Sequence, residues 1–423
     1  MLKIYTDIQS FLTRKKSRGT QQAEYAAAVR EIVNAVKEGG DKALFSYCKK
    51  FDSADITPDN ILVTRDEIDE AYREVPKATV AALKRAADNI LKYNLKIKPK
   101  DFMTGGEGAR TGYVLRPVER AGIYVPGGKA AYPSTALMCA LPAVAAGVPE
   151  IVMATPVKSG LKVNPLTLIA ADISDVSKVY KIGGAQAIAA LAYGTETIPR
   201  ADMIAGPGNI YVALAKKEIF GDAGIDSIAG PSEIVVIADK SANPAFVAAD
   251  LLSQAEHDEL ASSILLTDSE ELINAVIAEL EKQTAALSRQ SIIRASLTDN
   301  GAAVLCRDIE HAIEISNVLA PEHLEICTAA PHALLPQIIN AGAVFLGHYT
   351  PEPVGDYFAG PNHVLPTAGT ARFFSALSVE NYLKKISVLE YDKANLARAC
   401  KSIAAIAERE GLDAHASAVK LRI

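Results

Sequence analysis

No pair of cysteines at CxxC spacing occurs in the chain, although Cys48, Cys139, Cys306, Cys327 and Cys400 are present. An odd, scattered set argues against a disulfide frame and for reduced thiols in a cytoplasmic setting. Basic charge is not in excess either. Lys and Arg number 44 against 50 Asp and Glu, for a net charge of −6, which argues against a nucleic-acid-binding face. Apolar runs are too short to cross a membrane. The most apolar stretch, residues 136–157, is interrupted by Pro142, Pro149 and Glu150, and a span needs about 20 apolar residues. Residues 1–18 hold no long apolar run and do not read as a secretory signal. GxGxxG and HExxH are both missing, so neither the usual dinucleotide fingerprint nor a local metal motif is available.

What the chain does have is apolar residues in regular patterns. With 423 residues, 49% hydrophobic and 22% charged, it can bury a large core, and about 150 residues per domain suggests several structural units. The first hundred residues carry helical spacing: Val29, Ile32, Val33 and Val36, then a glycine stop at Gly39-Gly40. Thr64 with Glu67 predicts a capping box, and Pro76 opens a helix bearing Val80, Leu83, Ala87 and Ile90. Beyond about residue 110, short apolar runs alternate with helical patterns. The runs are 121–125, 151–154, 178–182, 203–205, 234–237, 264–267, 303–306, 324–327 and 344–346. Such alternation implies βαβ units and parallel sheets, and the number of strands favours two α/β domains over one. Residues 221–231 read as a crossing between them. Residues 347–372 form a long Gly/Pro-rich segment carrying His348, Asp356 and His363; a loop of that length points to function. From Ser378 the pattern returns to a helix, a strand at 386–389 and a helix at 395–407.

Three glycine turns follow strands: 124–129, Gly183-Gly184-Ala185-Gln186 and Gly206-Pro207-Gly208-Asn209. One such turn can be a plain βα connection. Three at strand C-terminal ends suggest a ligand crevice, with helix N-termini suited to phosphate. Asn243-Pro244 predicts a helix start, and Gln254 and His257, three residues apart, share a face. They are either two donors for one ion or a polar helix end. Glu322-His323 before a strand offers a carboxylate and an imidazole for proton transfer, or is a surface pair. Asp356 is a candidate ligand or a turn residue. His415 is a candidate ligand or a solvated tail residue.

Taken together, these motifs resemble the histidinol dehydrogenase family. The match is carried by residues 121–129, Gly183–Gln186, 205–209, 230–233, 254–257, 320–323, 353–356, 360–363 and 410–415, and extends from about residue 20 to the end. The resemblance implies two Rossmann-like α/β domains with parallel sheets, plus small helical N- and C-terminal dimerisation segments. The expected division is 1–18 with 378–423 as terminal segments, 19–123 with 232–377 as the domain of the catalytic pair and most metal ligands, and 124–231 as the domain of the NAD contacts.

The same resemblance implies the roles. Gln254, His257, Asp356 and His415 ligate one Zn²⁺ per subunit, which orients the substrate rather than activating water. His323 accepts the hydroxyl proton and Glu322 activates water for the aldehyde step. Ser232, Glu410 and His415 join the metal ligands and His323 in contacting L-histidinol, while Tyr124, Gln186 and Asn209 contact NAD. The expected assembly is a cytoplasmic homodimer with swapped C-terminal tails, without nucleic-acid or membrane partners. Three rivals are weighed against it: a zinc dehydrogenase of the same fold acting on another alcohol, a two-lobed binding protein and a zinc hydrolase.

Overall fold

The computed structural model describes residues 2–7, 10–11, 22–127, 132–158 and 160–423. Gly128 and Lys129 of the first glycine turn, and much of 1–18, lie outside the described residues. The strands are β1 (Lys3–Tyr5), β2 (Phe102–Gly106), β3 (Ala109–Pro117), β4 (Arg120–Tyr124), β5 (Glu150–Ala154), β6 (Lys178–Tyr180), β7 (Met203–Ala205), β8 (Gly224–Ile225), β9 (Glu233–Ala238), β10 (Ser262–Thr267), β11 (Ala302–Leu305), β12 (His323–Cys327), β13 (Ala343–Leu346) and β14 (Leu383–Tyr391). They form a six-stranded sheet ordered β1-β11-β10-β9-β12-β13, a five-stranded sheet ordered β6-β5-β4-β7-β8 and a three-stranded sheet ordered β14-β3-β2. The first two are parallel throughout. The fold is mixed α/β, as the alternation predicted.

Chain contacts group the protein into two compact units, residues 1–97 with 119–382 and residues 98–118 with 383–423. In the larger unit, β9 is buried on both faces, as an inner parallel strand requires. Ile234 and Val236 pack with Val247, Ala248 and Leu251 of the helix Pro244–Ala255. Val235 and Ile237 face the other way, toward Ala312, Ile313 and Leu319 of the helix Ile309–Leu319. The helix Pro244–Ala255 starts as the sequence predicts: Asn243 accepts a hydrogen bond from the Ala245 N–H, and Pro244 occupies the first turn. Because it returns antiparallel to β9, its C-terminal end brings Gln254 back to the edge where β9 and β12 begin.

Around the five-stranded sheet the N-terminal helices differ from the expected grouping. Gln22–Tyr47 packs on Gly184–Tyr193 and Ile210–Ile219, Arg65–Glu74 on Pro165–Ile173, and Lys77–Ile97 on Pro133–Ala146. Residues 22–97 thus cover the sheet of the 124–231 segment, whereas the sequence division placed them with 232–377. An amphipathic stripe reports that a helix has a buried face and not which sheet it covers. The expected boundary at 123/124 also falls inside β4. The Thr64–Glu67 capping box is present. The Gly39-Gly40 stop is present: the backbone leaves the helical region at Gly40 (φ 53°, ψ −139°), one helix ends and the next begins, and the Asp41 N–H donates to Glu196.

A buried ion pair braces the third glycine turn. Lys216 and Asp226 contact each other out of solvent. Lys216 donates to the Gly206 carbonyl at 3.0 Å, and Asp226 accepts the Gly206 N–H at 2.8 Å. Losing either partner would strand a buried charge, typically at a cost of about 3–5 kcal/mol. At Gly206 (φ +125°) a Cβ would lie 2.1 Å from the Tyr124 carbonyl, so only glycine lets the two strand ends close up.

The second unit is built on the antiparallel β2-β3 hairpin, paired along its length with β14. Residues 98–118 therefore pair with the tail rather than with the domain to which the sequence division assigned them. Two helices follow, Lys393–Arg409 and Asp413–Lys420, joined through Ala404, Ala407 and Ala416. Among the described residues no helix is long and apolar enough to cross a membrane.

Candidate active site

Glu322 and His323 stand where the chain enters β12, next to the start of β9. Both are buried. The Glu233 N–H donates to Glu322 Oε2 at 2.9 Å, and His323 Nδ1 donates to the Glu233 carbonyl at 3.3 Å. One residue of β9 thus holds both members of the pair, through the two peptide groups that flank it. The Nδ1 contact leaves Nε2 as the reactive nitrogen. It makes no hydrogen bond among the described residues, lying 3.8 Å from Asp356 Oδ1 and 3.9 Å from Glu352 Oε1. Gly342 lets β13 approach, since a Cβ there would sit 2.5 Å from the Glu322 carbonyl. Ser232 immediately precedes the clamp and is half-buried.

Gln254 ends its helix fully buried, with Oε1 lacking a hydrogen-bond partner among the described residues and Nε2 3.5 Å from His257 Nδ1. His257, Glu352 and Asp356 each offer a donor atom, all within 4.8 Å of one another. Asp356 and Glu352 come from a short helix, Glu352–Tyr357, inside the long Gly/Pro segment. His363 holds the Asp356 carbonyl at 3.0 Å, and its other nitrogen is 3.3 Å from Thr135 Oγ1. An imidazole, two carboxylates and an unpartnered buried amide oxygen are a donor set that suits a divalent cation. The structure thus brings Glu322, His323, Gln254, His257, Asp356 and Ser232 into one region. Glu352 was missed by the sequence reading; a glutamate beside prolines in a loop carries no signal until the short helix is seen. Glu410 and His415 belong to the second unit, where both are exposed.

Burial and charge pull these groups in opposite directions. Burial pushes the Glu322 carboxyl up to about 8 and that of Glu352 up to about 7. His323 is driven down by burial, but the nearby carboxylates of Glu352, Glu322 and Asp356 outweigh that and raise it to about 10. Burial lowers His257 and His363. Asp356 resists its own burial through His323 and the other histidines and stays below the usual carboxylate range. The cluster has a deficit of positive charge that protons or a cation can fill.

The described parts of the three glycine turns lie at the C-terminal edge of the five-stranded sheet. Tyr124 is buried, and its hydroxyl accepts the Gly184 N–H at 3.1 Å. Gln186 is buried and donates to Asp52 at 3.2 Å. Burial raises Asp52 to about 6. Asn209 is exposed and caps the helix Ile210–Ile219, accepting from the Tyr211 and Val212 N–H groups. Asp52, Lys216 and Asp226 support these turns from positions that no local motif marks.

These features define an α/β enzyme that moves protons beside a candidate cation site. Comparison with known proteins shows the family. The histidinol dehydrogenase family model matches residues 15–423. A histidinol dehydrogenase of Clostridium acetobutylicum is 52% identical over 413 residues, covering 97% of this chain and 95% of that protein. One from Aquifex aeolicus is 52% identical over 401 residues, covering 95% and 93%. The crystal structure of histidinol dehydrogenase from Elizabethkingia anophelis superposes with a TM-score of 0.94 at 40% identity, covering 100% of this chain and 98% of that one. The chain belongs to the histidinol dehydrogenase family, oxidoreductases of histidine biosynthesis.

Glu322 makes stability depend on pH in a predictable direction. Folded, it keeps its proton up to about 8; unfolded, it releases it near ~4.3. Folding takes up a proton between those values, so this contribution is complete below ~4 and disappears as pH rises through 8. Raised His323 and Glu352 act in the same sense. The melting temperature of chelator-treated protein should therefore fall from pH 6.5 to 9, and Glu322→Gln should flatten the slope. An identical slope in the variant would contradict Glu322 as a buried acid.

Proposed function

We propose that this chain oxidises L-histidinol to L-histidine through L-histidinaldehyde, using two NAD and one zinc ion per subunit. The observation that carries the reading is the Glu322–His323 pair, clamped on one residue of β9, with His323 Nε2 free of hydrogen-bond partners among the described residues and beside Asp356 and Glu352. Gln254, His257 and Asp356, with His415 from a second subunit, would hold the metal. Bound zinc supplies a positive anchor for the substrate's amino and imidazole nitrogens. A cation held there would also offset the carboxylates that raise His323, bringing that imidazole toward the range of a working base.

His323 Nε2 accepts the hydroxyl proton as the carbinol hydride passes to NAD, leaving aldehyde and NADH. Glu322, whose proton affinity suits transfer near neutrality, takes a proton from the water that adds to the aldehyde. His323 returns its proton to the aldehyde oxygen as the hydrate forms, so the hydrate can then give an O–H proton to His323 and its hydride to a second NAD. Ser232 and Glu410 contact the substrate, and Tyr124, Gln186 and Asn209 contact NAD. Clustering of their turns on one sheet edge supports the last assignment. The five free cysteines, four of them buried, support a cytoplasmic setting.

NADH absorbance with histidinol and NAD tests the reading. Turnover is expected with histidinol and with histidinaldehyde, and chelation should abolish it. His323→Asn should slow both oxidations by about 100-fold or more, whereas Glu322→Gln should mainly slow the aldehyde step. No NADH from either substrate would overturn the reading, and equal losses in Glu322→Gln would overturn the division of labour.

The tail acts in trans within a homodimer. Exposure of Glu410 and His415 supports this, as do the large apolar side chains Leu389, Ile406 and Leu421 left in solvent on the small second unit. Gln254→Ala and His415→Ala, each inactive alone, should regain activity when co-refolded, since each heterodimer then holds one intact site. Heterodimers that remain inactive would contradict the swapped tail.

A further inference from the structure

The buried helix Pro133–Ala146 holds a proline in its interior. Pro142 has no N–H, so the carbonyl of Met138, one turn earlier, is left without its helical donor in a fully buried position. A side chain from the long Gly/Pro segment takes that place. Asn362 Nδ2 donates to the Met138 carbonyl at 2.6 Å, while Asn362 Oδ1 accepts the Val364 N–H at 2.9 Å. The Tyr382 hydroxyl donates to the next carbonyl, that of Cys139, at 2.8 Å. Asn362 and Tyr382 are both buried. Between Asn362 and Val364 stands His363, whose Nδ1 donates to the Asp356 carbonyl at 3.0 Å. Its other nitrogen lies 3.3 Å from Thr135 Oγ1, on the same helix as Met138.

We infer that Asn362 is a positioning residue for the cation site: by occupying the carbonyl that Pro142 frees, it fixes His363, and through it the turn that carries Asp356. The inference rests on the metal reading above. A buried carbonyl without a donor is costly, so the break in the helix creates a demand at one defined point. An amide meets it with its NH2 and spends its oxygen on its own segment, so two bonds set the place and direction of residue 362. One residue then separates this anchor from the hydrogen bond that holds Asp356. The near side of the same turn is held too, since Asn89 Nδ2 donates to the Phe358 carbonyl at 2.9 Å. Supports of this kind orient ligands that they never touch. Tyr382 offers the contrast. It ties a more distant part of the chain to the same helix and has no comparable path to Asp356.

Zinc titration of metal-free full-length protein against a chromophoric chelator, with melting curves of the metal-free samples, separates positioning from plain support. Wild type should bind one equivalent tightly. Asn362→Leu keeps the branched shape but loses both bonds. It should bind zinc about 10–100-fold more weakly and melt about 2–5 °C lower. Adding Pro142→Ala gives Met138 a donor within the helix, so the double variant should regain part of that stability while zinc stays weak. Tyr382→Phe should melt lower and yet bind zinc within about threefold of wild type. Should Asn362→Leu fail to fold, the double variant carries the test alone. Wild-type zinc affinity in Asn362→Leu or in the double variant overturns the inference. Tyr382→Phe as weak for zinc as Asn362→Leu overturns it in favour of plain structural support. Wild type that binds no zinc overturns the metal reading and this inference together.

Discussion

Everything at the candidate centre depends on the backbone of one residue, Glu233 at the start of β9. Its N–H fixes Glu322 and its carbonyl fixes His323, so the orientation of both comes from backbone hydrogen bonds between adjacent parallel strands. The Glu233 side chain accepts the Ala368 N–H, anchoring the far end of the long Gly/Pro segment to the same residue. Backbone partners do not change rotamer, and a base held this way keeps its reactive nitrogen at a constant place. The helix returning from β9 delivers Gln254 to that edge, and Glu352 and Asp356 arrive from the opposite direction on a six-residue helix.

This arrangement concentrates negative charge out of water. Glu322, Glu352 and Asp356 surround His323, Glu352 and Asp356 also reach His257, and Arg289 donates to the His257 carbonyl. A cluster of that kind is costly unless protons or a cation balance it. Some of its carboxyls are held well above their ordinary range by burial, whereas Asp356, facing the histidines, is not. The uneven distribution separates groups that hold protons from one suited to ligate, and follows from placement alone. Protons and a cation therefore compete for the same deficit, so metal uptake and proton release belong to one equilibrium.

Much of the fold was legible because strong local signals decide it. Apolar runs bounded by glycine marked the inner strands, and Asn243-Pro244 and Thr64–Glu67 marked helix starts whose caps are present in the structure. Partnership was not legible. The stripe on Gln22–Tyr47 could serve either sheet, and the hairpin at 98–118 shows no sign of pairing with β14 until the register is seen. The site divides in the same way. Glycine turns at strand C-terminal ends pointed to one crevice by a general rule of α/β sheets. The proposed catalytic pair sits at the opposite, N-terminal edge of β12, where that rule is silent, and family motifs rather than spacing marked it. Glu352 carries no motif, and its meaning lies in contacts between residues about 30 to 100 positions apart.

The central claim is that residues from β12, from the helix after β9 and from the Gly/Pro segment form a single cation-centred site. Anomalous diffraction at the zinc edge, from crystals of the full-length protein grown with zinc, tests it most directly. The account predicts one strong peak per subunit contacting Gln254, His257 and Asp356, with His415 of a second copy completing the set. A peak on other residues, or none there in fully loaded crystals, would contradict it.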